Sequence, residues 1–348
     1  MTELWFGIVS VTLSMYVVMD GFDLGAGALH LFVARGDGER RRVLGAIGPY
    51  WDANEVWLLA AGGALLVAFP SVLASGLSGF YLAIFLVVWC LLLRGVAIEL
   101  RGHASAPLWR AFWDVTFALA SILLCVFFGC AFGNLLRGLP VDSSGWFGLS
   151  LFTDFSARMP VGILDWYTVL VGGYALLALV MHGAAFLCWK LDGELLSRCR
   201  ARAFRAGLVV TALWPVMTYL TVRVNPGLFE NFTGRPLAWA CALLALGGLV
   251  AFFAGLHRGS YGRSLLGSSA FLLGLMGATA AAMFPLMLRS VVDPSLSITA
   301  YDAANEAAGL RIALRWWLIG IPLVIAYFVI QFRLHAGKVS AVENGPPY

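Results

Sequence analysis

The sequence predicts an all-α protein that threads a membrane many times. Three observations lead there. Hydrophobic residues make up 61% of the chain and charged residues only 12%, with a mean hydropathy of +0.86, whereas soluble domains carry about 25% charged residues. The apolar residues are gathered into runs of about 20, long enough for a helix to cross about 30 Å of hydrocarbon. Between the runs, basic residues are denser on alternate sides, as in chains oriented by cytoplasmic charge. The net charge of +4 is spread over loops, so no nucleic-acid partner is expected.

Nine spans are predicted, at 5–33, 53–73, 79–100, 111–136, 163–188, 206–224, 236–256, 264–288 and 311–332, within one integral membrane domain covering 1–348. The first run has no basic leader and no small-residue cleavage site, so it reads as a retained helix. Residues 43–52 form a short interfacial segment leading into the second span. Pro70, Pro140, Pro160, Pro226, Pro236 and Pro294 fall at or near span ends, where helix breakers belong. The stretches 137–162 and 289–310 are the longest loops, and both lie on the side opposite the denser basic charge.

Loop charge tests the count. With nine spans, one side collects Arg35, Arg40, Arg41, Arg42, Arg101, Arg110, Lys190, Arg198, Arg200, Arg202, Arg205, Arg258, Arg263, Arg333 and Lys338, which is fifteen. The other collects Arg137, Arg158, Arg223, Arg235, Arg289, Arg311 and Arg315, which is seven. The richer side is the cytoplasmic one. The N-terminus is then outside and the C-terminus inside. Ala64-Leu-Leu-Val-Ala-Phe-Pro70 and Ala280-Ala-Ala-Met-Phe-Pro285 form a short echo that hints at duplication.

Chemistry is most visible in the acidic residues at the inner ends of the first three spans. A carboxylate in hydrocarbon costs about 2.5–3.5 kcal/mol on insertion scales, so it faces a protein interior or a wet cavity. Asp20 and Asp23 are three residues apart and share a helix face. Gly21 and Gly25, four apart, permit close approach of another helix. Two neighbouring carboxylates share charge poorly and suit a proton relay; the plainer reading is a structural carboxylate bonded to an arginine or to backbone. At 1.5 Å per residue from residue 5, Asp20 lies roughly 22 Å in and Asp23 roughly 27 Å in.

Trp51-Asp52-Ala-Asn-Glu55-Val-Trp57 opens the second span. Asp52 and Glu55 have capping-box spacing, and Trp51 and Trp57 suit the membrane interface, though either ring could stack on a quinone. Arg94 and Glu99 close the third span. Arg94 needs a carboxylate, which Asp20, Asp23 or Asp52 could supply. Asp114 reads as an ordinary helix-start acid. Gly133-Asn134 is a polar break near the outer end of the fourth span.

His182, alone on an apolar helix, reads as a hydrogen-bonded packing residue. The five histidines show no metal spacing, and the six cysteines, with no CxxC pair, read as small core residues.

Taken together the segments resemble subunit II of the cytochrome bd family of quinol oxidases. The resemblance rests on Gly21-Phe-Asp-Leu-Gly25, Pro49-Tyr-Trp-Asp-Ala-Asn-Glu-Val-Trp57, Gly62-Gly-Ala-Leu65 with Ala68-Phe-Pro70, Ser78-Gly-Phe-Tyr81 and Leu93-Arg-Gly95. It continues in Ala131-Phe-Gly-Asn-Leu135, Gly138-Leu-Pro140, Phe284-Pro285, Ser297-Ile-Thr299 and Tyr301-Asp-Ala303. Residues 145–280 match in hydropathy only.

The resemblance implies two four-helix bundles plus a peripheral helix, paired as a heterodimer with a haem-bearing subunit I. It implies haems b and d and quinol oxidation in that partner, and no haem ligand in this chain. A small single-helix accessory subunit, bound lipid and a quinone held by this chain are further expectations. It implies a cytoplasmic proton path through Asp20, Asp23, Asp52 and Glu99, supported by Trp51, Glu55, Trp57 and Arg94. Glu55 and Asn305-Glu306 depart from some relatives. The competing reading is a proton-coupled secondary transporter, which predicts broken midplane helices and clear inverted repeats.

Overall fold

A computed structural model describes residues 1–339; residues 340–348 of the expected domain lie outside the described residues. The helices are α1 (Thr2–Val33), α2 (Asp37–Ile47), α3 (Trp51–Ala68), α4 (Pro70–Gly79), α5 (Tyr81–Leu100), α6 (Pro107–Arg137) and α7 (Trp166–Lys190). They continue as α8 (Gly193–Val224), α9 (Pro226–Thr233), α10 (Pro236–Arg258), α11 (Tyr261–Met283), α12 (Ala300–Ala303) and α13 (Ala307–Leu334). Two short strands, β1 (Leu286–Leu288) and β2 (Ile298–Thr299), pair antiparallel. Among the described residues, eight helices are long and apolar enough to cross a membrane: α1, α5, α6, α7, α8, α10, α11 and α13.

Several ends differ from the sequence reading, each for a local reason. The expected span 53–73 is two helices. Phe69 leaves the helix at φ −139°, ψ 61°, because the residue before a proline is pushed out of the α region, and Pro70 then starts α4 at the position that needs no N–H. The expected span 264–288 stops at Met283 for the same reason, before Phe284-Pro285, and residues 286–288 form β1 instead. Helix α7 starts at Trp166 rather than 163. Asp165 caps it, accepting from the Tyr167 and Thr168 N–H groups, and the Thr168 hydroxyl accepts from the Asp165 N–H. Helix α8 begins at Gly193 rather than 206, because the arginine-rich stretch is itself helical.

Helix α1 is the hub, packed against α3, α6, α7 and α11. It can approach α7 closely because glycines face each other. A Cβ on Gly25 would lie 1.9 Å from the Leu179 carbonyl oxygen, and one on Gly183 would lie 2.4 Å from Gly25. The α10–α11 hairpin uses the same device, since a Cβ on Gly267 would lie 2.4 Å from the Phe252 nitrogen. Helix α13 is peripheral. The apolar window of its span is 0% buried, and it touches the body mainly through α3.

The two ends of the helices differ in character. At one, α1 and α5 finish, α6 begins, and α2 lies across them, tied by ion pairs. We call this the basic end. At the other, the loop after α6 is laced to the segment around β1. There the Leu139 N–H donates to the Arg289 carbonyl, the Val291 N–H to the Leu139 carbonyl, and the Ser290 hydroxyl to the Val141 carbonyl.

Candidate functional site

The α1 residues Tyr16, Asp20, Asp23 and His30 follow one another at spacings of four, three and seven. That spacing keeps them on one face of the helix. All four are buried, Asp20 and His30 at 0% exposure and Asp23 at 1%.

Arg94 of α5 reaches this face. Its Nη1 donates to Asp20 Oδ1 across 2.7 Å, and its Nη2 donates to Glu55 Oε1 on α3. Arg94 is 0% exposed, and the Glu55 side chain is 27% exposed. Asn54, next to Glu55, donates from Nδ2 to Asp23 Oδ2 across 2.7 Å. Three helices thus hold one guanidinium against two carboxylates, with a third carboxylate one turn away.

The cluster is also rich in unmet hydrogen-bonding capacity. Tyr16 OH, Asp20 Oδ2, Asp23 Oδ1, Asn54 Oδ1, Trp57 Nε1 and Arg94 Nε are buried without a partner among the described residues. Buried polar groups are ordinarily paired, and internal water is the usual partner where protein is not.

The sequence-predicted residues divide into two groups. Asp20, Asp23, Glu55 and Arg94 come together. Asp52 and Glu99 do not join them: both are exposed, on the outward faces of α3 and α5. Asp20 and Asp23 each have a separate partner, Arg94 for the first and Asn54 for the second. The capping box is absent too. Tyr50 is the N-cap of α3 with no side-chain cap, and Glu55 turns instead to Arg94. Trp57 is not an interfacial anchor. It is 7% exposed and its ring stacks on Phe328 of α13 at 5.7 Å. The Trp51 ring lies over Gly95, where a Cβ would meet it at 3.3 Å.

A second cluster, at the basic end, is larger than the sequence reading allowed. Asp114 is not a simple helix-start acid. It is 1% exposed and bonds His30 Nε2 at 2.7 Å, Arg101 Nε at 2.5 Å and Arg40 Nη1 at 3.0 Å. Arg101 also reaches Asp37, at 2.8 Å, which in turn accepts from Arg110 and Arg41. Partial burial alone would raise the Asp37 pKa, but hydrogen bonds from Arg41 and Arg101 outweigh it and hold the carboxyl below its ordinary range. Glu39 is held low in the same way, burial being outweighed by hydrogen bonds from the Arg35 N–H and Arg198. Helix α2 is thereby tied through Asp37 to the turn that follows α5 and to α6, and through Glu39 to α8.

Two other residues singled out by sequence have structural partners. His182 is buried with both ring nitrogens engaged, Nδ1 with the Ser268 hydroxyl at 2.7 Å and Nε2 with the Val18 carbonyl at 2.9 Å. Asn134 accepts from Arg137 and donates to the Ile163 carbonyl, with Arg137 also paired to Asp165. The polar break is a staple between α6 and the loop leading to α7. Among the described residues, no group of three or more His, Cys, Asp or Glu side chains could hold a metal ion.

Comparison with known proteins adds the family. Residues 1–335 match the family described as cytochrome bd terminal oxidase subunit II. The chain is 30% identical to cytochrome bd-I ubiquinol oxidase subunit 2 of Escherichia coli, over 97% of this chain and 94% of that protein. It is 28% identical to cytochrome bd ubiquinol oxidase subunit 2 of Bacillus subtilis, over 98% and 97%. Its fold is similar to a chain of the bd oxidase from Geobacillus thermodenitrificans, with a TM-score of 0.73 and 18% identity over 96% of this chain and 98% of that one.

Proposed function

Taking as premise that this chain belongs to the cytochrome bd terminal oxidase subunit II family, we propose that its buried carboxylates pass protons toward an oxygen-reducing partner. The chain is the second subunit of a multi-pass quinol:oxygen oxidoreductase complex of the bacterial inner membrane, working with subunit I. A transporter acting alone is set aside by that membership.

We infer nine crossings within one membrane domain, α3 and α4 together making the ninth. Two contacts support this. The Asn305 N–H donates to the Ala68 carbonyl at the end of α3, and Ser75 of α4 donates to the Gly145 carbonyl in the loop after α6. Both lie at the end opposite α2. The fifteen-to-seven basic bias supports a cytoplasmic basic end.

We assign the outward face of α3 and α5 to subunit I. Val56, Leu59 and Leu66 form an exposed apolar stripe on α3, and Phe85, Trp89 and Leu92 form one on α5. Asp52 and Glu99 end these stripes at the basic end. Acids there would be covered by the partner and would sit at the mouth of a path between the subunits.

The observation that carries the proposal is the surplus of carboxyls over cations around Arg94. One guanidinium faces Asp20 and Glu55, with Asp23 a turn away. Each proton gained or lost therefore changes the charge of a buried cluster. Glu55, partly exposed, links the inner cluster to the face bearing Asp52 and Glu99. Arg94 holds Asp20 and Glu55 in position, and Asn54 holds Asp23. The six polar atoms without partners among the described residues fit water links between these groups.

We place the b and d haems, which supply the oxygen-reduction chemistry, in subunit I. In this chain both nitrogens of His182 are engaged, and His30 is committed to Asp114 through Nε2.

The test is Asp52→Asn and Glu99→Gln in the assembled oxidase, read as quinol-driven oxygen consumption. Slowed turnover with full haem content is expected for each. Wild-type turnover in both would remove these acids from the path.

A further inference from the structure

We infer a binding site for the phosphate of an anionic phospholipid on the face opposite the basic end, in a cleft between the loop before α7 and the last turns of α8. The cleft has a volume of about 490 Å³ and is lined by Ser156, Arg158, Trp166, Tyr219, Leu220 and Arg223, with Ala157 and Val224 beside them.

The chemistry of the lining selects the ligand. No Asp or Glu is among the lining residues. The nearby carboxylate of Asp154 is turned to the backbone, accepting from the Ser156 N–H at 3.0 Å. Arg223 donates one Nη1 hydrogen to Tyr219 OH at 3.0 Å and lies over that ring at 5.9 Å. This fixes its plane and leaves its other N–H groups for a ligand. The Ser156 hydroxyl accepts from the Arg158 N–H at 3.2 Å, so its own hydrogen is free to donate. Two guanidinium groups and two hydroxyls therefore supply donors to one cleft, a set that suits an anion with several acceptor oxygens. Arginine is the side chain whose planar fork matches phosphate.

Position selects a lipid as the source of that phosphate. Trp166 and Tyr219 are the amphipathic rings found at headgroup depth. Below them α8 is open to lipid: only 11% of its apolar window is buried, and Val216 is 48% exposed. An acyl chain can run along Val216 and Leu220 while the phosphate sits between Arg158 and Arg223. The adjoining loop presents Phe152, Phe155 and Met159 at 59%, 47% and 51% exposure, as a segment dipping into the interface does.

The test uses the intact two-subunit oxidase in nanodiscs of phosphatidylcholine doped with phosphatidylglycerol. Retained phosphatidylglycerol is counted by native mass spectrometry, and haem content is checked in every variant. Arg158→Gln with Arg223→Gln is expected to weaken phosphatidylglycerol retention about tenfold or more, and Arg158→Lys with Arg223→Lys, which keeps the charge but loses the fork, to weaken it less. Inorganic phosphate at millimolar concentration is expected not to displace the lipid. Equal retention in the double Gln variant at full haem content would overturn the site. Displacement by inorganic phosphate would overturn the lipid as its occupant.

Discussion

Arg94 Nη1 donates to Asp20 Oδ1 across 2.7 Å, and both side chains are 0% exposed. The pair joins α1 to α5 in the middle of an apolar protein. Breaking a buried pair by removing one charge leaves the other unmatched, at a cost of about 3–5 kcal/mol. Asp20→Asn and Arg94→Gln are each expected to lower the thermal stability and yield of the assembled oxidase. Asp20→Leu with Arg94→Met and Glu55→Gln is expected to recover much of the loss, because replacing Arg94 together with both of its carboxylate partners strands no charge. Thermal unfolding and haem content per complex measure both effects. A triple variant no better than the singles would argue against the pairing.

Helix contact makes a sharper steric prediction. A Cβ at Gly25 would sit 1.9 Å from the Leu179 carbonyl oxygen, and backbone cannot yield as a side-chain tip can. Gly25→Ala is expected to separate α1 from α7 and abolish assembly, whereas Gly36→Ala, with nothing within 4 Å, is expected to assemble like wild type. Size-exclusion chromatography of the solubilised complex separates these outcomes.

The clasp of α2 should respond to acid. Asp37 is held below its ordinary range, its partial burial outweighed by hydrogen bonds from Arg41 and Arg101. A carboxyl whose folded pKa is depressed contributes stability that is complete above its unfolded pKa, about 3.9. That contribution is lost as pH falls through the lower folded value. The stability gap between wild type and Asp37→Asn is expected to be constant above about pH 5 and to shrink below about pH 4. Thermal midpoints across that range provide the check, and a gap that widens in acid would reverse the sign.

Topology can be read directly. Alkaline phosphatase fused after Lys338 is expected to be inactive, and fused after Ser144 to be active, because the enzyme matures only outside the cytoplasm. The reverse pattern would invert the chain.

Much of this organisation was legible in the sequence, for definite reasons. Span existence follows from the length of apolar runs, and the close α1–α7 approach was signalled by Gly21 and Gly25. The family was visible in the first hundred residues because its acids, glycines and tryptophans lie close together in sequence. Partner choice was less legible. Glu55 has capping spacing from Asp52, yet it turns to Arg94, which lies 39 residues away, and no local rule weighs a helix cap against a buried guanidinium. The same holds for Asp114, which meets His30 from 84 residues away. One signal was available: Tyr16, Asp20, Asp23 and His30 repeat at helical spacing through an otherwise apolar segment, and that polar stripe pointed to both clusters. The ends of α3 and α11 were misplaced because an apolar run continues past the residue before Pro70 and Pro285, where the helix stops.

The most direct test of the proton path is the rate of quinol-driven oxygen consumption by an assembled Asp23→Asn oxidase. Asn keeps the shape of the side chain and can still bond Asn54, but it cannot release a proton. With full haem content and normal reduction of the haems by quinol, turnover is expected to fall by about a hundredfold or more, the smaller end of what a lost proton-transfer group costs. Turnover at the wild-type rate, with the same haem content, would contradict the path and leave Asp23 a structural partner of α3.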